Sequence, residues 1–216
     1  MPCRVVSLDL CATYGSPLPT VLLQQVAKAC LATYARGVKA GGRFGGALTH
    51  LNRAPPPPPS VGTVAFAVHT LQRAEASLLP RLAAAIAATS ATPGTTSFDA
   101  FTAHQVAADA VARVHTQLLL LASFTSSVAA APASTRPLLE TLGTLHALAV
   151  LDDNAVLLRT GALSSADAAA VHGAMDGLCT ALRPRAAELA DVMTIPDFLL
   201  APIAFDVVAH NSRARL

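Results

Sequence analysis

The stretch VLLQQVAKACLATYARGVKA, residues 21–40, carries the clearest structural signal in the chain. Its apolar side chains recur at steps of three and four residues, as they do along one face of an α-helix. Glutamine, lysine and arginine occupy the other faces. Thr20 precedes the run and is a residue type that favours the N-cap position. The stretch therefore predicts an amphipathic helix that begins after Thr20. The residues that form the apolar face are Leu22, Leu23, Val26, Cys30, Tyr34 and Val38.

The same pattern extends along the rest of the chain. It predicts helices from Thr63 to about Thr89, from about Phe98 to Val128, over 138–160, after Ser164, and from Arg185 to Val192. Alternating β-branched and aromatic residues, which would indicate strands, do not occur over four or more positions. The predicted fold class is all-α, a helical bundle of five to seven helices.

Proline, glycine and serine mark the predicted helix boundaries. Pro137 suits the first turn of a helix, Gly161 suits the position just after one, and Ser164 with Asp167 resembles a capping box. Pro80 lies inside the second predicted helix and is expected to kink or divide it.

Five consecutive prolines, Pro55 to Pro59, form a stretch without backbone donors. We interpret residues 53–60 as a Pro-rich surface linker inside the helical domain. A docking motif for a proline-recognising module remains the alternative for the same segment.

Composition excludes several classes of protein. The chain has 216 residues, 53% of them hydrophobic and 13% charged, with a net charge of +2. Such a balance does not fit a disordered chain or a nucleic-acid-binding protein, and no uninterrupted apolar run is long enough to span a membrane. Charged residues normally make up about a quarter of a globular protein. We therefore expect part of this surface to be covered by another domain or subunit.

Side chains that carry chemistry do not form a recognisable motif. The four cysteines, at positions 3, 11, 30 and 179, show no CxxC pair, and the seven histidines show no HExxH spacing. We expect inert thiols, histidines that act as packing residues, and no metal site. Asp152 and Asp153 are adjacent on a predicted helix and do not converge, so they indicate a helix-terminal charge. The residues alone predict no self-sufficient active site.

The chain ends in Ala214-Arg215-Leu216, which has the small–basic–leucine form of a peroxisomal targeting tripeptide. A basic tail without function is the alternative. The tripeptide predicts recognition by the peroxisomal import receptor.

Residues 20–211 resemble the C-terminal region of peroxisomal acyl-CoA oxidases, with the plant and algal medium-chain type as the nearest resemblance. The family pattern there runs approximately LRxGYLS…LCxELRPxALxLVDxFGIPDxxLxSPIAF…N. The matching residues are Leu158-Arg159, Gly161, Leu163-Ser164, Leu178-Cys179, Leu182-Arg183-Pro184, Ile195-Pro196-Asp197, Pro202-Ile203-Ala204-Phe205 and Asn211. Upstream, 21–26, His50-Leu51-Asn52, and His104-Gln105 with Ala107 and Asp109 follow the family in the same order.

This resemblance implies a fold similar to acyl-CoA dehydrogenases, in which the present chain would be the C-terminal helical domain. It implies FAD as cofactor, an acyl-CoA substrate, oxidation by O2 to trans-2-enoyl-CoA and hydrogen peroxide, and peroxisomal β-oxidation of fatty acids. The implied partners are the remainder of an oxidase subunit and its dimer mate. We divide the chain into an irregular segment 1–19, the domain 20–211 and the targeting tail 212–216.

The chain departs from the family where the catalytic base is expected. In the family a glutamate lies in a TFEGDNNV-like turn directly before the VLxQQV helix, whereas residues 13–21 read TYGSPLPTV, without a glutamate. The stretches that form the flavin-binding β-barrel have no counterpart in this sequence. We therefore assign no catalytic residue and leave the cofactor-binding residues unassigned.

Three functions follow from these observations. The chain is either the C-terminal part of an oxidase that works with the missing part, or a non-catalytic helical protein that pairs with a full-length oxidase. A carrier of apolar ligands rests on hydrophobicity alone.

Overall fold

A computed structural model describes the backbone of residues 17–192 and the side chains of residues 21–192. Every regular element in this range is helical, which confirms the all-α prediction. The α-helices are α1 Pro17–Lys39, α2 Val64–Ser90, α3 Ser97–Thr102, α4 Gln105–Ala130, α5 Arg136–Asp152, α6 Ala155–Arg159, α7 Ser165–Leu182 and α8 Ala186–Val192. Two 3-10 helices span Gly46–Asn52 and Arg183–Arg185. Residues 193–216, which include the predicted tail 212–216, lie outside the described residues. Of the predicted segment 1–19, residues 1–16 also lie outside them.

The chain divides into two compact units, residues 1–178 and 179–216. In the first unit α4 packs against α1, α2 and α5, and α2 also contacts α5. One buried cluster joins α2, α4, α5, α6 and α7. Its large fully buried members are Leu71, Val114, Leu121, Leu148, Leu151, Leu157 and Val171. A second cluster joins α1, the 3-10 helix Gly46–Asn52, α2 and α4 around Cys30, Leu48, Leu79, Leu82 and Val111.

In the second unit the described residues form short helices. The 3-10 helix Arg183–Arg185 leads into α8, which confirms the helix predicted from Arg185 to Val192. The guanidinium of Arg185 donates to both carboxylate oxygens of Glu188, over 3.0 and 2.9 Å. Both side chains are exposed, so this pair adds little to stability.

Several predicted helix boundaries are confirmed. The Thr63 hydroxyl accepts from the backbone N–H of Phe66 over 3.1 Å and caps α2. Ser164 accepts from the N–H of Asp167 over 3.0 Å and caps α7. Gly161, at φ +70°, adopts the left-handed conformation that ends α6 at low strain. Helix α1 begins at Pro17, four residues before the predicted start at Val21, so the prediction of Thr20 as its N-cap is wrong.

The single helix predicted from Phe98 to Val128 is wrong, because the structure divides it into α3 and α4. His104 lies between them with φ −113° and ψ 21°, outside the helical region. Its Nε2 lies 2.8 Å from the hydroxyl of Thr89 at the end of α2. This tertiary hydrogen bond accounts for the break, since it holds His104 against the end of α2 between α3 and α4.

The run predicted as one helix up to Gly161 is also divided, into α5 and α6. Asn154 separates them: its Oδ1 accepts from the N–H of Val156, and its Nδ2 donates to Oε1 of Gln117 on α4 over 3.2 Å. The side chain thus caps α6 and attaches it to α4. Pro80, by contrast, lies within α2 and does not divide it.

The Pro-rich segment runs over the surface without regular structure, and four of its five prolines are exposed. Nε2 of His69 on α2 lies 2.9 Å from the carbonyl oxygen of Pro56, so the linker is fixed to the helix beneath it. None of the helices described here is long and apolar enough to cross a membrane.

Candidate functional site

Three long helices bring a cysteine, a glutamate and a histidine together in the interior of the first unit. Cys30 comes from α1, Glu75 from α2 and His115 from α4. One donor atom from each side chain lies within 4.8 Å of the corresponding atoms of the other two. Cys30 is 3% exposed and Glu75 is fully buried. We call these three residues, with the adjoining His50, the Cys–Glu–His cluster.

Glu75 is the centre of the cluster. Its Oε1 accepts from Nδ1 of His115 over 2.6 Å, and its Oε2 lies 3.1 Å from Nε2 of His50. Nδ1 of His50 donates to the carbonyl oxygen of Ala47 over 3.2 Å. The contact between Oε2 and Nε2 of His50 lacks hydrogen-bond geometry, so both buried atoms are without a hydrogen bond. One carboxylate is therefore held between two imidazoles.

Local packing explains why His50 reaches this position. The ring of Phe44 stacks on Tyr34 of α1, with centroids 5.4 Å apart. Gly37 permits this approach, because a Cβ there would overlap the Phe44 ring. Asn52 closes the loop by accepting from the N–H of Phe44 and donating to its carbonyl oxygen, each over 2.7 Å. These contacts place the 3-10 helix Gly46–Asn52 against α1, with His50 facing Glu75.

The cluster shifts the pKa values of its members. A hydrogen bond with Cys30 is the main cause that raises the pKa of His115 to about 10, and the hydrogen bond with Glu75 adds to it. Burial raises the pKa of the Glu75 carboxyl, but the hydrogen bond from His115 and the electrostatic attraction of His115 and His50 outweigh it. The pKa of Glu75 therefore lies below its usual value. At neutral pH the charged forms of Glu75 and His115 stabilise each other.

A cavity of about 630 Å³ lies beside the cluster. Cys30 and His115 form part of its wall, and Arg36 and Arg43 are its charged lining residues. The remaining wall consists mainly of small residues such as Ala29, Ala40 and Gly45–Gly46. A second cavity, about 560 Å³, lies on the side of His50 and is bounded by the first prolines of the linker.

The residues predicted from the sequence stand apart from this cluster. Ala214, Arg215 and Leu216 lie outside the described residues. Asp152 and Asp153 are exposed at the end of α5, and Asp152 lies 3.7 Å from Nδ1 of His172. The expectation of no metal site stays a prediction.

Most of the chain matches one family of known proteins. The sequence model of the family described as Acyl-CoA oxidase matches residues 63–203. The chain belongs to the acyl-CoA oxidase family. It is 30% identical over 200 residues to the peroxisomal acyl-coenzyme A oxidase 3 of Arabidopsis thaliana, covering 89% of this chain and 30% of the relative. It is 29% identical over 203 residues to a putative peroxisomal acyl-coenzyme A oxidase 3.2 of the same plant, covering 91% and 30%. The chain thus spans under a third of the length of these curated relatives.

Solved structures show the same helical fold. Acyl-CoA oxidase-1 of Caenorhabditis elegans, complexed with FAD and ATP, superposes with a TM-score of 0.72 at 23% identity. The match covers 86% of this chain and 28% of that protein. Acyl-CoA oxidase1 of Yarrowia lipolytica gives a TM-score of 0.70 at 22% identity, over 83% and 27% of the two chains.

The two cavities offer different groups to FAD, the cofactor that the family resemblance implies. The larger cavity provides two arginines that suit phosphate groups. Its walls are mainly small aliphatic residues, and no phenylalanine, tyrosine or tryptophan among them could stack on the flavin ring. The cavity beside His50 contains aromatic side chains and is bounded by the linker on one side. Arg53 and Arg73 line it as well, so it combines aromatic side chains with guanidinium groups.

Proposed function

We propose that this chain forms the C-terminal helical part of an FAD-dependent acyl-CoA oxidase of peroxisomal fatty-acid β-oxidation. The complete enzyme converts an acyl-CoA and O2 into trans-2-enoyl-CoA and hydrogen peroxide. The observation that carries this proposal is the family match over residues 63–203, in a chain that spans under a third of its relatives. The flavin-binding barrel and the catalytic base then come from polypeptide outside these 216 residues.

Exposed apolar side chains support a role at an interface. Phe98 on α3 is 71% exposed and Val106 on α4 is 83% exposed, and Leu119 and Leu120 of α4 are about half exposed. Burying such a side chain contributes about 1.5–3 kcal/mol. Docking of α3 and α4 on the rest of a subunit or on its dimer mate would recover this free energy.

The proposal is tested by expressing the chain alone and joined to its upstream coding sequence. We expect no bound flavin with the chain alone, and flavin absorbance with acyl-CoA-dependent peroxide formation in the joined protein. Phe98→Asp with Val106→Asp is expected to reduce assembly of the joined protein, whereas Glu140→Lys on exposed α5 surface serves as the control. Stoichiometric flavin on the isolated chain contradicts the proposal. Flavin-free pairing with a separate full-length oxidase favours the non-catalytic alternative.

The C-terminal tripeptide is tested separately. Deleting Ala214–Leu216 from the chain fused behind a fluorescent protein is expected to abolish its peroxisomal accumulation, because the import receptor reads the terminal tripeptide. Arg215→Lys keeps the positive charge and serves as the matched control. Accumulation that survives the deletion contradicts direct targeting by this tail.

A further inference from the structure

The Cys–Glu–His cluster assembles a sulfur, a nitrogen and an oxygen donor from three different helices. The three donor atoms lie within 4.8 Å of one another, and two of the three residues are buried. A zinc ion bound at about 2.0–2.3 Å from each donor needs donors about 3.3–3.8 Å apart. Small side-chain rotations therefore suffice to enclose a cation among Cys30, Glu75 and His115.

The donor types select the class of cation. Magnesium and calcium prefer oxygen ligands throughout, whereas thiolate with imidazole suits zinc and neighbouring transition metals. One carboxylate beside these two donors is common in zinc sites. The set therefore fits a borderline divalent cation such as Zn²⁺.

A second observation concerns the second oxygen of the Glu75 carboxylate. Glu75 is fully buried, and its Oε2 and the facing Nε2 of His50 lack a hydrogen bond although they lie 3.1 Å apart. A buried carboxylate is stable only when a cation or hydrogen-bond donors compensate it. A metal ion among the three residues would supply a positive charge to the carboxylate in place of the His115 proton.

The surroundings support the three donors as a metal site. His50 is anchored through Nδ1 to the carbonyl oxygen of Ala47 and contacts the carboxylate from behind. Such outer contacts orient the ligands of a metal. Cys30 and His115 also form part of the wall of the 630 Å³ cavity, which gives an ion a route of entry and leaves a fourth position for water.

We propose that Cys30, Glu75 and His115 bind one Zn²⁺-class cation, with His50 as a positioning residue for the Glu75 carboxylate. The ion links α1, α2 and α4. This site does not depend on the oxidase activity proposed above.

A thiol, an imidazole and a carboxylate that contact one another also resemble the catalytic triad of a cysteine nucleophile. Cys30 is only 3% exposed, however, so it offers little surface to a substrate larger than an ion.

The test uses the 216-residue chain carrying Cys3→Ser, Cys11→Ser and Cys179→Ser, so that Cys30 is its sole cysteine. Titration with Co²⁺ is expected to produce a thiolate-to-metal charge-transfer band at one equivalent, and Zn²⁺ is expected to displace it. Zinc at about 100 times its Kd is expected to raise Tm by about 5–10 °C. Zinc is also expected to slow alkylation of Cys30 by iodoacetamide.

Substitutions in the same background separate a metal site from a hydrogen-bonded network. Cys30→Ser, which preserves shape, is expected to abolish the charge-transfer band and to weaken zinc binding about 100-fold or more, since even outer contacts are worth about 10–100-fold. Glu75→Gln is expected to weaken binding while retaining the band. His146→Gln on α5, outside the cluster, is the matched control. Absence of the band, or zinc binding that Cys30→Ser leaves unchanged, overturns the proposal. Rapid alkylation of Cys30 that zinc does not slow also overturns it, in favour of the nucleophile.

Discussion

Replacing Glu75 by alanine is expected to lower the free energy of unfolding of the metal-free chain by about 3–5 kcal/mol. The carboxylate is fully buried, accepts from His115 over 2.6 Å and lies 3.1 Å from His50. Its removal leaves two largely buried imidazoles without the anion between them. Removing one partner from a buried ion pair leaves an uncompensated charge, which is more destabilising than losing an exposed pair. Urea unfolding followed by circular dichroism, with a chelator present, measures the change.

Two substitutions test whether charge or volume is responsible. Glu75→Gln keeps the side-chain volume and an acceptor for Nδ1 of His115, so it is expected to be less destabilising than Glu75→Ala. Glu140→Ala removes an exposed glutamate on α5 and is expected to change stability by about 0.5 kcal/mol or less. The double variant Glu75→Ala/His115→Ala is expected to be more stable than the sum of the single losses predicts, because no unpaired charge remains. Additive losses would contradict a coupled pair.

Local signals in the sequence predicted most of the helices. The signals of Ser164 with Asp167 and of Gly161 act on the backbone within a few residues, and the structure confirms them. The breaks at His104 and Asn154 were missed for the opposite reason. Each depends on a partner in another helix, Thr89 for His104 and Gln117 for Asn154. Periodicity along one segment contains no information about such partners.

The Cys–Glu–His cluster was out of reach of the sequence for the same reason. Cys30, Glu75 and His115 are each 40 or more positions apart, so no ligand spacing connects them. The signal that could have indicated it is Glu75 itself. This charged residue follows the buried Ala74 and lies on the face of α2 that the core covers, where a charged residue needs a partner. The family resemblance predicted the fold and the relatives correctly, but it carried no information about this cluster.

Replacing Leu148 by alanine is expected to lower the free energy of unfolding by about 2–5 kcal/mol. Leu148 on α5 is fully buried in the cluster that joins α2, α4, α5, α6 and α7. Truncation removes apolar contacts and leaves a cavity that surrounding helices fill only in part. Chemical denaturation of the isolated chain measures the loss, with an unchanged m-value as the sign that unfolding remains cooperative.

The matched control is Leu120→Ala on α4, where the same side chain is 55% exposed. It is expected to change the stability of the isolated chain by about 0.5 kcal/mol or less. If Leu120 lies under the rest of the subunit, the same substitution is expected to lower the stability of the joined oxidase more than that of the isolated chain. The two leucines thus distinguish a buried core position from an exposed surface position on these apolar helices. Leu148 holds these helices to one another, whereas Leu120 faces outward. Equal losses in the isolated chain would show that the outer face of α4 is already covered, for example by a second copy, and would remove the support it gives to the proposed interface.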